Sequence, residues 1–590
     1  MTIASNLASP NLASPALGKT VLDVFDYERV RLLPGRFQVQ VDHARRLYGG
    51  ISNDSILKGF RRQAGLPAPG EDMKGWASSS SAGIFGQLIS GMVRLGVATD
   101  DAELRAKAVA LFEGWRETMP DDGNAHMRAY DWDKLVGGLV DLHRYLGVEE
   151  ALPTLRKTTQ WASRTFDRTR PLADDHDFWG AGPGLTSEWY TLPENLYRAY
   201  LESGDADFKS FADVWLYHDY WDAFVDKAEL QPIHTVHAYS HVNSLSSAAA
   251  AYLVTGEDRY LRLCRNAYDF LQRTQVYATG GYGPDERLMR ADGSLGRSLD
   301  CCAYHAEIPC GAWAAFKLCR YLMSFTGEAR YGDWVETTLL NGLAASLPPE
   351  PDGKAFYYGD YRISGGTKQF YWHEWPCCAG TYIQLMAEYH NLIYFKDAGG
   401  IYVNLYLPSE LSWSHDGQKV SLRQTTRYPE EPRSTITVEL ERPSRFALRL
   451  RIPAWAKEAS LSVNGARLDA APRPGEWAVI EREWQSGDMA AIELPMTLRA
   501  LPVDAQHPHR AAILYGPVVL AQDEACCRRP FTMAKDTPLT KWLVKDGDRL
   551  GFRILNGVPE RHTRYLLPLY GFPANWPYFV YFDLHAPTLY

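Results

Sequence analysis

The sequence lacks the features that mark several classes of protein. None of its apolar runs approaches the roughly 18 residues that a membrane span requires, and the first residues contain no apolar core like that of a secretory signal. The formal net charge is −9, which leaves no basic surplus for binding nucleic acid. We therefore expect no membrane and no nucleic acid as partners, and a cytoplasmic location.

The cysteines do not form the pattern of a disulfide framework. There are nine, an odd number, and six of them stand in adjacent pairs at 301–302, 377–378 and 526–527. Adjacent cysteines rarely reach disulfide geometry with each other, and an odd count leaves at least one thiol unpaired. A reducing compartment, with some thiols bound to a metal ion, fits this pattern better.

The region from about residue 81 to residue 394 has helical periodicity. Glycine- and aspartate-rich stops such as TGED separate many of its apolar segments. Apolar residues recur at i, i+3 and i+4 in 84–95, 104–115, 135–145, 192–201, 211–224, 242–254, 260–271, 312–323 and 334–340. Ten to twelve helices at this spacing predict an (α/α)6 toroid for residues 41–395, and a helical solenoid would give a similar pattern.

The pattern changes after residue 395. Short alternating runs such as KVSLRQTTRY, STITVELERP and FALRLRIPAW are separated by Gly, Pro and Asn, which predicts an antiparallel β-sandwich over residues 396–525. The early run TVLDVFDYERVRLL also alternates, so residues 19–40 are expected to return one strand to the sandwich. We expect residues 1–18 to be a disordered leader and residues 526–590 to add strands that pack on the body.

Two cysteine-containing segments carry the strongest chemical signal. In WPCCAGTYIQ, Cys377 and Cys378 precede an amphipathic helix that we expect to begin near Thr381. In HAEIPCGAW, Glu307 and Cys310 stand three residues apart around a proline that a first helical turn tolerates. Helix N-termini favour anions and lower the pKa of thiols. Three thiolates and one carboxylate make a tetrahedral set suited to zinc, although buried cysteines can also be purely structural.

A glycine-rich loop and the remaining cysteines complete the set of candidates. In YATGGYGPDERL, the loop presents Asp285 and Glu286, and a carboxyl group there is either a general acid or a solvated loop residue. The pair at 301–302 adjoins the proposed metal site and remains ambiguous. The cysteines expected to be structural are Cys264, Cys319 and the pair at 526–527.

Together these segments resemble glycoside hydrolase family 127, the β-L-arabinofuranosidase type, and relatives such as family 146. The resemblance follows the chain in order through GGISNDSILKGFRRQAGL, HTVHAYSHVNSLSSAAAAYLVTGEDRYL, ATGGYGPDE, CCAGT and DAGGIYVNLYLPSELSW. It implies a zinc-dependent, retaining exo-glycosidase that releases a terminal furanose, by default β-L-arabinofuranose, from an oligosaccharide or glycoside. Apart from the resemblance, a homodimer is a possible partner state.

The resemblance implies roles for individual residues. Cys377 would be the nucleophile and Glu286 the general acid/base. The ligands of Zn²⁺ would be Glu307, Cys310, Cys377 and Cys378. The side chains expected to contact the sugar are His237, Tyr358, Asp133, Trp132 and His241. For Tyr358, a role in the core or in a loop is equally open.

The chain departs from the family pattern at the metal pair and along the expected sugar cleft. The family's Glu-x-Cys pair is Glu-Ile-Pro-Cys here, an early GH-rich segment is replaced by SSSSAGIFGQLISG, and Asp133-Lys134 stands where relatives have His-Lys. Candidates to compensate are His126, Trp132, Glu188, Asn195 and His241. Three alternatives stay open: a hydrolase of another branched or acidic plant cell-wall sugar, a sugar epimerase or lyase, and a carbohydrate-binding protein with a structural zinc.

Overall fold

The structure is a computed structural model that describes residues 17–166, 188–226, 236–469, 472–523, 530–555 and 564–585. Most of the expected leader, and the cysteine pair at 526–527, lie outside the described residues. The helices of the described part are α1 (Arg36–Gly50), α2 (Asn53–Gln63), α3 (Ala82–Ala98), α4 (Ala102–Arg116), α5 (Ala129–Leu146), α6 (Ala151–Thr165), α7 (Leu192–Ser203), α8 (Ala206–Val214), α9 (His218–Trp221), α10 (Ala238–Thr255), α11 (Asp258–Thr274), α12 (Ser294–Cys301), α13 (Ile308–Thr326), α14 (Tyr331–Thr337) and α15 (Cys377–Asn391).

Six of these helices form a closed inner ring. α3 packs against α5, α5 against α7, α7 against α10, α10 against α13 and α13 against α15, and α15 returns to α3. A second helix covers each of them from outside: α4 on α3, α6 on α5, α8 on α7, α11 on α10, α14 on α13 and α1 on α15. The predicted (α/α)6 toroid is confirmed, and a solenoid is excluded because the ring closes.

The inner helices are buried on almost all sides, and their composition reflects this. α10 contains four successive alanines, Ala248–Ala251, all of them buried. Small residues let neighbouring helices approach closely, and Gly86 of α3 shows how closely. A Cβ atom at Gly86 would lie 2.1 Å from the carbonyl carbon of Lys134 on α5. The outer helices are instead amphipathic, as α11 is, and bury one face only.

The strands follow mainly after the toroid. They are β1 (Asp23–Val24), β2 (Val30–Leu32), β3 (Ala306–Glu307), β4 (Tyr358–Gly359), β5 (Tyr394–Asp397), β6 (Gly400–Val403), β7 (Ser409–His415), β8 (Gln418–Thr426), β9 (Arg433–Leu440), β10 (Ser444–Arg451), β11 (Ser460–Val463), β12 (Ala466–Arg467), β13 (Trp477–Trp484), β14 (Met489–Glu493), β15 (Leu498–Pro502), β16 (Arg510–Tyr515), β17 (Val518–Asp523), β18 (Leu543–Lys545), β19 (Phe552–Ile554), β20 (Tyr565–Pro568), β21 (Tyr578–Phe579) and β22 (Tyr581–Asp583).

Two sheets face each other as a sandwich. One has the order β1-β5-β6-β10-β13 and the other β12-β11-β14-β9-β8-β7-β2. Trp413 of β7 meets Phe446 of β10 edge to face across the interface, with 5.3 Å between ring centroids. The segment before α1 contributes β1 to one sheet and β2 to the other, where the sequence predicted a single returning strand.

A third sheet contains β15 to β17 together with β18 to β22. The sequence pattern predicts the first three of these strands in the sandwich and the later ones in a separate tail. Alternating polarity predicts that a segment is a strand, but it does not identify the partner strand. β17 pairs with β20 in the register Leu520 to Pro568, so the two segments form one unit. Among the described helices, none combines the length and apolar character needed to cross a membrane.

A buried arginine joins the toroid to the sandwich. Arg451, at the end of β10, donates to Asp333 on α14 at 2.5 Å and to the carbonyl oxygen of Asn404 at 2.7 Å. Its other terminal nitrogen lies 3.0 Å from the carboxylate of Glu336, which is also buried. A Cβ atom at Gly332 would lie 2.5 Å from the Arg451 side chain, so the helix needs glycine here.

Arg451→Met should lower the free energy of unfolding by roughly 3 kcal/mol, because the buried carboxylate of Glu336 loses its cation. Arg445→Met is the matched control. Arg445 lies on the same strand, but it and its partner Glu481 are exposed, so this loss should cost less than about 1 kcal/mol. Calorimetric unfolding of both variants gives the comparison, and equal destabilisation would contradict the assigned role of Arg451.

Candidate metal centre and active site

The predicted metal-binding side chains converge where two inner helices begin. Cys377 and Cys378 are the first two residues of α15, which starts four residues before the predicted position near Thr381. Glu307 ends β3 and is the N-cap of α13, and Cys310 lies in the first turn of that helix. Because α13 and α15 are neighbours in the inner ring, their N-terminal turns meet.

The donor atoms form a compact group. Sγ of Cys310 lies 3.6 Å from Sγ of Cys377 and 3.4 Å from Sγ of Cys378. Oε1 of Glu307 lies 3.5 Å and 3.3 Å from the same two sulfurs, and all four donor atoms are within 4.8 Å of one another. A tetrahedral zinc ion with Zn–S bonds of about 2.3 Å would separate sulfurs by about 3.8 Å. The group therefore has the size and chemistry to bind a metal ion.

The longer Glu-Ile-Pro-Cys spacing does not prevent this convergence. Glu307 has extended backbone angles, with φ −77° and ψ 99°, and Cys310 belongs to the helix that follows. The change from strand to helix between Glu307 and Ile308 accommodates the extra residue. Glu307 and Cys310 consequently reach the same point from two different elements.

Burial opposes ionisation of most of this group. It raises the pKa of the Cys310 and Cys378 thiols well above the usual value, and that of Glu307 to about 7. Cys377 shifts the other way. Hydrogen bonds from the other two thiols, together with the charge of Lys134, lower its pKa well below the usual value. A divalent cation would supply the positive charge needed to ionise the remaining ligands.

A second layer of hydrogen bonds holds the cysteines in place. Oγ1 of Thr381 lies 3.1 Å from Sγ of Cys310, and it accepts a hydrogen bond of 2.7 Å from the side chain of Gln87 on α3. The hydroxyl of Tyr357 lies 3.4 Å from Sγ of Cys377. Such outer contacts orient metal ligands and tune their basicity.

A histidine connects the donor group to the glycine-rich loop. His237 is the N-cap of α10, and its Nδ1 is hydrogen-bonded to the carboxylate of Glu188. Its Nε2 lies 3.4 Å from Glu307 and 3.9 Å from Glu286. Burial alone would lower the pKa of His237, but the carboxylates of Glu188 and Glu307 outweigh it and raise that pKa well above the usual value. The imidazolium is thus held among three carboxyl groups.

Glu286 is held by contacts on both sides of its loop. The hydroxyl of Tyr358 donates to its Oε1, and the neighbouring Asp285 N–H donates to the carbonyl oxygen of Tyr304 at 2.7 Å. Asp285 and Glu286 have left-handed backbone angles, with φ of 48° and 61°. For residues other than glycine this costs on the order of 1 kcal/mol each. Burial raises the pKa of Glu286, which favours the protonated acid.

A cavity of about 430 Å³ opens onto this group. Its wall includes Cys377, Tyr357, Glu286, His237, Glu188, Trp76, Ser79, Ser80, Ser81, Ile84, His126, Arg128, Tyr130, Lys134 and Trp375. Four of these residues have a positive φ without being glycine: His126, Glu188, Glu286 and Trp375. Strained backbone is concentrated at functional sites, so this clustering marks the cavity independently of its side-chain chemistry.

Of the five predicted sugar-contacting residues, His237 lines this cavity and the other four do not. Tyr358 is next to the cavity, where it donates a hydrogen bond to Glu286. Trp132 is fully buried and packs edge to face on Phe166, with 5.8 Å between ring centroids. His241 is buried with its Nδ1 3.2 Å from the hydroxyl of Tyr190, and burial lowers its pKa to about 3. We correct the prediction for these two side chains: both lie on inner helices and contribute to the packing of the toroid.

Asp133 also lies away from the main cavity. It accepts hydrogen bonds of 2.9 Å from Thr191 and from Asn195, and it lines a separate buried polar space of about 50 Å³. Burial raises the pKa of Asp133 to about 6. Both partners are at the start of α7, and the contact of Asp133 with a sugar stays a prediction.

Several cavity residues were missed or only partly recognised in the sequence. The serine run at 79–81 was noted as a departure from the family pattern, and it lines the cavity directly. Tyr130, in the first turn of α5, and Trp76, Tyr357 and Trp375 gave no signal. In a sequence, an aromatic residue looks the same whether it lines a cavity or packs in a core.

The other cysteines within the described residues lie outside the donor group. Cys264 is buried on α11 and Cys319 on α13, as expected for structural residues. Cys301 is exposed at the end of α12, and its Sγ is 4.0 Å from that of the buried Cys302. The pair at 301–302 therefore adds no ligand to the group.

Two family models identify the class of protein to which this helical toroid, with its Cys3Glu group beside a cavity, belongs. Residues 112–391 match the family model of the β-L-arabinofuranosidase GH127 catalytic domain, and residues 400–496 match that of the GH127 middle domain. The chain belongs to glycoside hydrolase family GH127. It is a glycoside hydrolase, and its substrate is a carbohydrate.

Solved structures share the whole fold. The GH127 β-arabinofuranosidase BT3674 has a TM-score of 0.74 at 17% identity, covering 97% of this chain and 98% of its own. Ara127N-Se, a GH127 β-L-arabinofuranosidase from Geobacillus stearothermophilus T6, has a TM-score of 0.71 at 18% identity, covering 94% and 99%. A further glycoside hydrolase has a TM-score of 0.72 at 17% identity, covering 96% and 98%. A comparison with curated proteins gave no match.

Cys310→Ala should weaken the binding of a divalent metal ion by more than about 100-fold, because it removes one of four ligands. Cys319→Ala is the matched control: it removes a buried thiol from the same helix, outside the donor group, and should leave metal affinity unchanged. Competition with a chromogenic chelator measures both affinities. Equal affinities for zinc in the two variants would contradict the assignment of the metal centre.

Proposed function

We propose that this hydrolase is a retaining exo-glycosidase that releases a terminal furanose, by default β-L-arabinofuranose, with zinc bound by Glu307 and the three clustered cysteines. One observation carries the proposal: Cys377 and Glu286, a sulfur nucleophile and a carboxylic acid, line the same cavity. The choice of sugar is supported by the names of the two solved relatives. A reducing, cytoplasmic location stays part of the proposal.

In the first step, Cys377 attacks the anomeric carbon. Bound zinc would keep the three sulfurs in the thiolate form and fix their orientation. As the bond between sulfur and carbon forms, the bond from carbon to the leaving oxygen breaks, and Glu286 gives its proton to that oxygen. The product of this step is a sugar joined to Cys377 by a thioglycosidic bond, with Glu286 as a carboxylate.

In the second step, the same carboxylate acts as a base. Glu286 takes a proton from water, the water oxygen attacks the anomeric carbon, and the sulfur of Cys377 leaves as a thiolate. Two displacements at one carbon return the original anomeric configuration. The residues around Glu286 suit both steps: burial favours its protonated form, while Tyr358 and the His237 imidazolium stabilise its carboxylate.

A second candidate substrate is a sugar that carries a carboxylate, from a branched or acidic cell-wall polysaccharide. The observation that favours it is the presence of two cationic side chains on the cavity wall. Lys134 donates to the carbonyl oxygen of Gly83 at 3.0 Å, lies 3.8 Å from the ring centroid of Tyr130, and has further N–H groups to offer. Arg128 is the second cation, and its Nε also donates to the carboxylate of Asp131, another wall residue, at 3.1 Å. Turnover of acidic oligosaccharides but not of neutral arabinofuranosides would favour this candidate.

Cys377→Ala should lower kcat/KM for a nitrophenyl β-L-arabinofuranoside by at least about 10³-fold, since the nucleophile is lost. Cys301→Ala is the control, because it removes an exposed thiol outside the donor group. Circular dichroism and zinc content show whether each variant keeps its fold and its metal. Full activity of Cys377→Ala would contradict the assignment of Cys377 as the nucleophile. In a panel of glycosides, turnover of pyranosides alone would contradict the assignment of a furanose substrate.

A further inference from the structure

An exposed group of aromatic rings lies beside the acid loop and is not used by the proposed reaction. Trp372 is 54% exposed and Tyr304 is 37% exposed. Their ring centroids are 6.1 Å apart, and their planes are inclined by 38°. We name these two rings, with Tyr358 and Tyr371 behind them, the aromatic surface. Isolated exposed aromatic residues are common, but a contiguous group next to a cavity indicates binding.

Each exposed ring rests on a second ring. Tyr304 stacks on Tyr358 with centroids 4.2 Å apart and an angle of 24°. Trp372 lies against Tyr371 with centroids 4.1 Å apart and an angle of 34°. This support fixes the exposed rings, so binding a ligand on them costs little side-chain entropy. A preformed, flat and apolar surface of this kind suits the C–H face of a sugar ring.

Two hydrogen bonds connect the aromatic surface to the loop that contains Glu286. The hydroxyl of Tyr358 donates to Glu286, and the carbonyl oxygen of Tyr304 accepts the N–H of Asp285. In the proposed reaction Glu286 protonates the leaving oxygen, so the group bound to that oxygen must pass close to Glu286. Tyr358 contacts Glu286 and Tyr304 contacts the neighbouring Asp285, so both rings lie within reach of this leaving group.

From this geometry we propose that the aromatic surface binds the sugar residues on the leaving-group side of the scissile bond. The inference rests on the proposed function and extends it. The natural substrate is then an oligosaccharide or polysaccharide chain with a terminal furanose, rather than a small glycoside. Recognition here is by stacking, which is tolerant of the linkage beyond the first leaving sugar.

Two substrates with the same terminal furanose test the proposal. One is a methyl glycoside, whose leaving group is too small to cover the aromatic surface, and the other is an oligosaccharide. In Trp372→Ala, the ratio of kcat/KM for the oligosaccharide to that for the methyl glycoside should fall about five- to tenfold, since apolar contact with the longer leaving group is lost. Trp372→Phe keeps a ring and should recover most of the ratio.

Met489→Ala is the control, because Met489 is an exposed apolar residue on the sandwich strand β14. It should leave the ratio unchanged. An unchanged ratio in Trp372→Ala, or an equal loss for both substrates, would overturn the proposal. If the wild-type protein cleaves neither substrate, the proposed function fails instead. Calorimetric titration with the oligosaccharide then decides the inference: weaker binding by Trp372→Ala supports it, and equal binding overturns it.

Discussion

Four groups that ionise to anions are held within 4.8 Å of one another, largely away from water, and this constraint governs the site. Burial makes charged forms of Cys310, Cys378 and Glu307 unfavourable, so the cluster in its ionised form depends on a cation. The toroid creates the cluster, because α13 packs beside α15 in the inner ring and the first turns of these two helices carry the ligands. Residues 310 and 377 meet because α13 and α15 are successive helices of the inner ring and both present their N-terminal turns to the same point.

The rest of the active site is arranged around this cluster. His237 lies between Glu307 and Glu286 and connects the donor group electrostatically to the glycine-rich loop. The loop itself has two successive left-handed residues, Asp285 and Glu286, which are kept in place by Tyr304 and Tyr358. The same two tyrosines belong to the aromatic surface, so in the proposed reaction the residues that position Glu286 also bind the leaving group. The sandwich supports the toroid from behind through the buried contacts of Arg451 with α14.

Much of this could be predicted from the sequence, and the exceptions have physical reasons. Helical periodicity predicted the toroid. Two short motifs, Glu307-Ile-Pro-Cys310 and Cys377-Cys378, predicted the donor group, because each motif is recognised from local spacing. The start of α15 was predicted four residues late, since cysteine at a helix N-terminus leaves no periodic signal. Trp132 and His241 were expected in the cleft but pack inside the ring, because helical periodicity alone does not fix which face a neighbour covers. The positive φ angles of His126 and Trp375 and the pairing of β17 with β20 depend on tertiary structure, so no local sequence pattern predicts them.

The most direct test of the account is to trap the sugar on the enzyme. In Glu286→Gln protein, an aryl furanoside with a good leaving group can still react in the first step, but the second step lacks the base that activates water. The covalent intermediate should therefore accumulate. Mass spectrometry after rapid quenching should find one added sugar residue, on the peptide that contains Cys377. A sugar on the Glu307 carboxylate, or a steady release of inverted product with no adduct, would contradict the account.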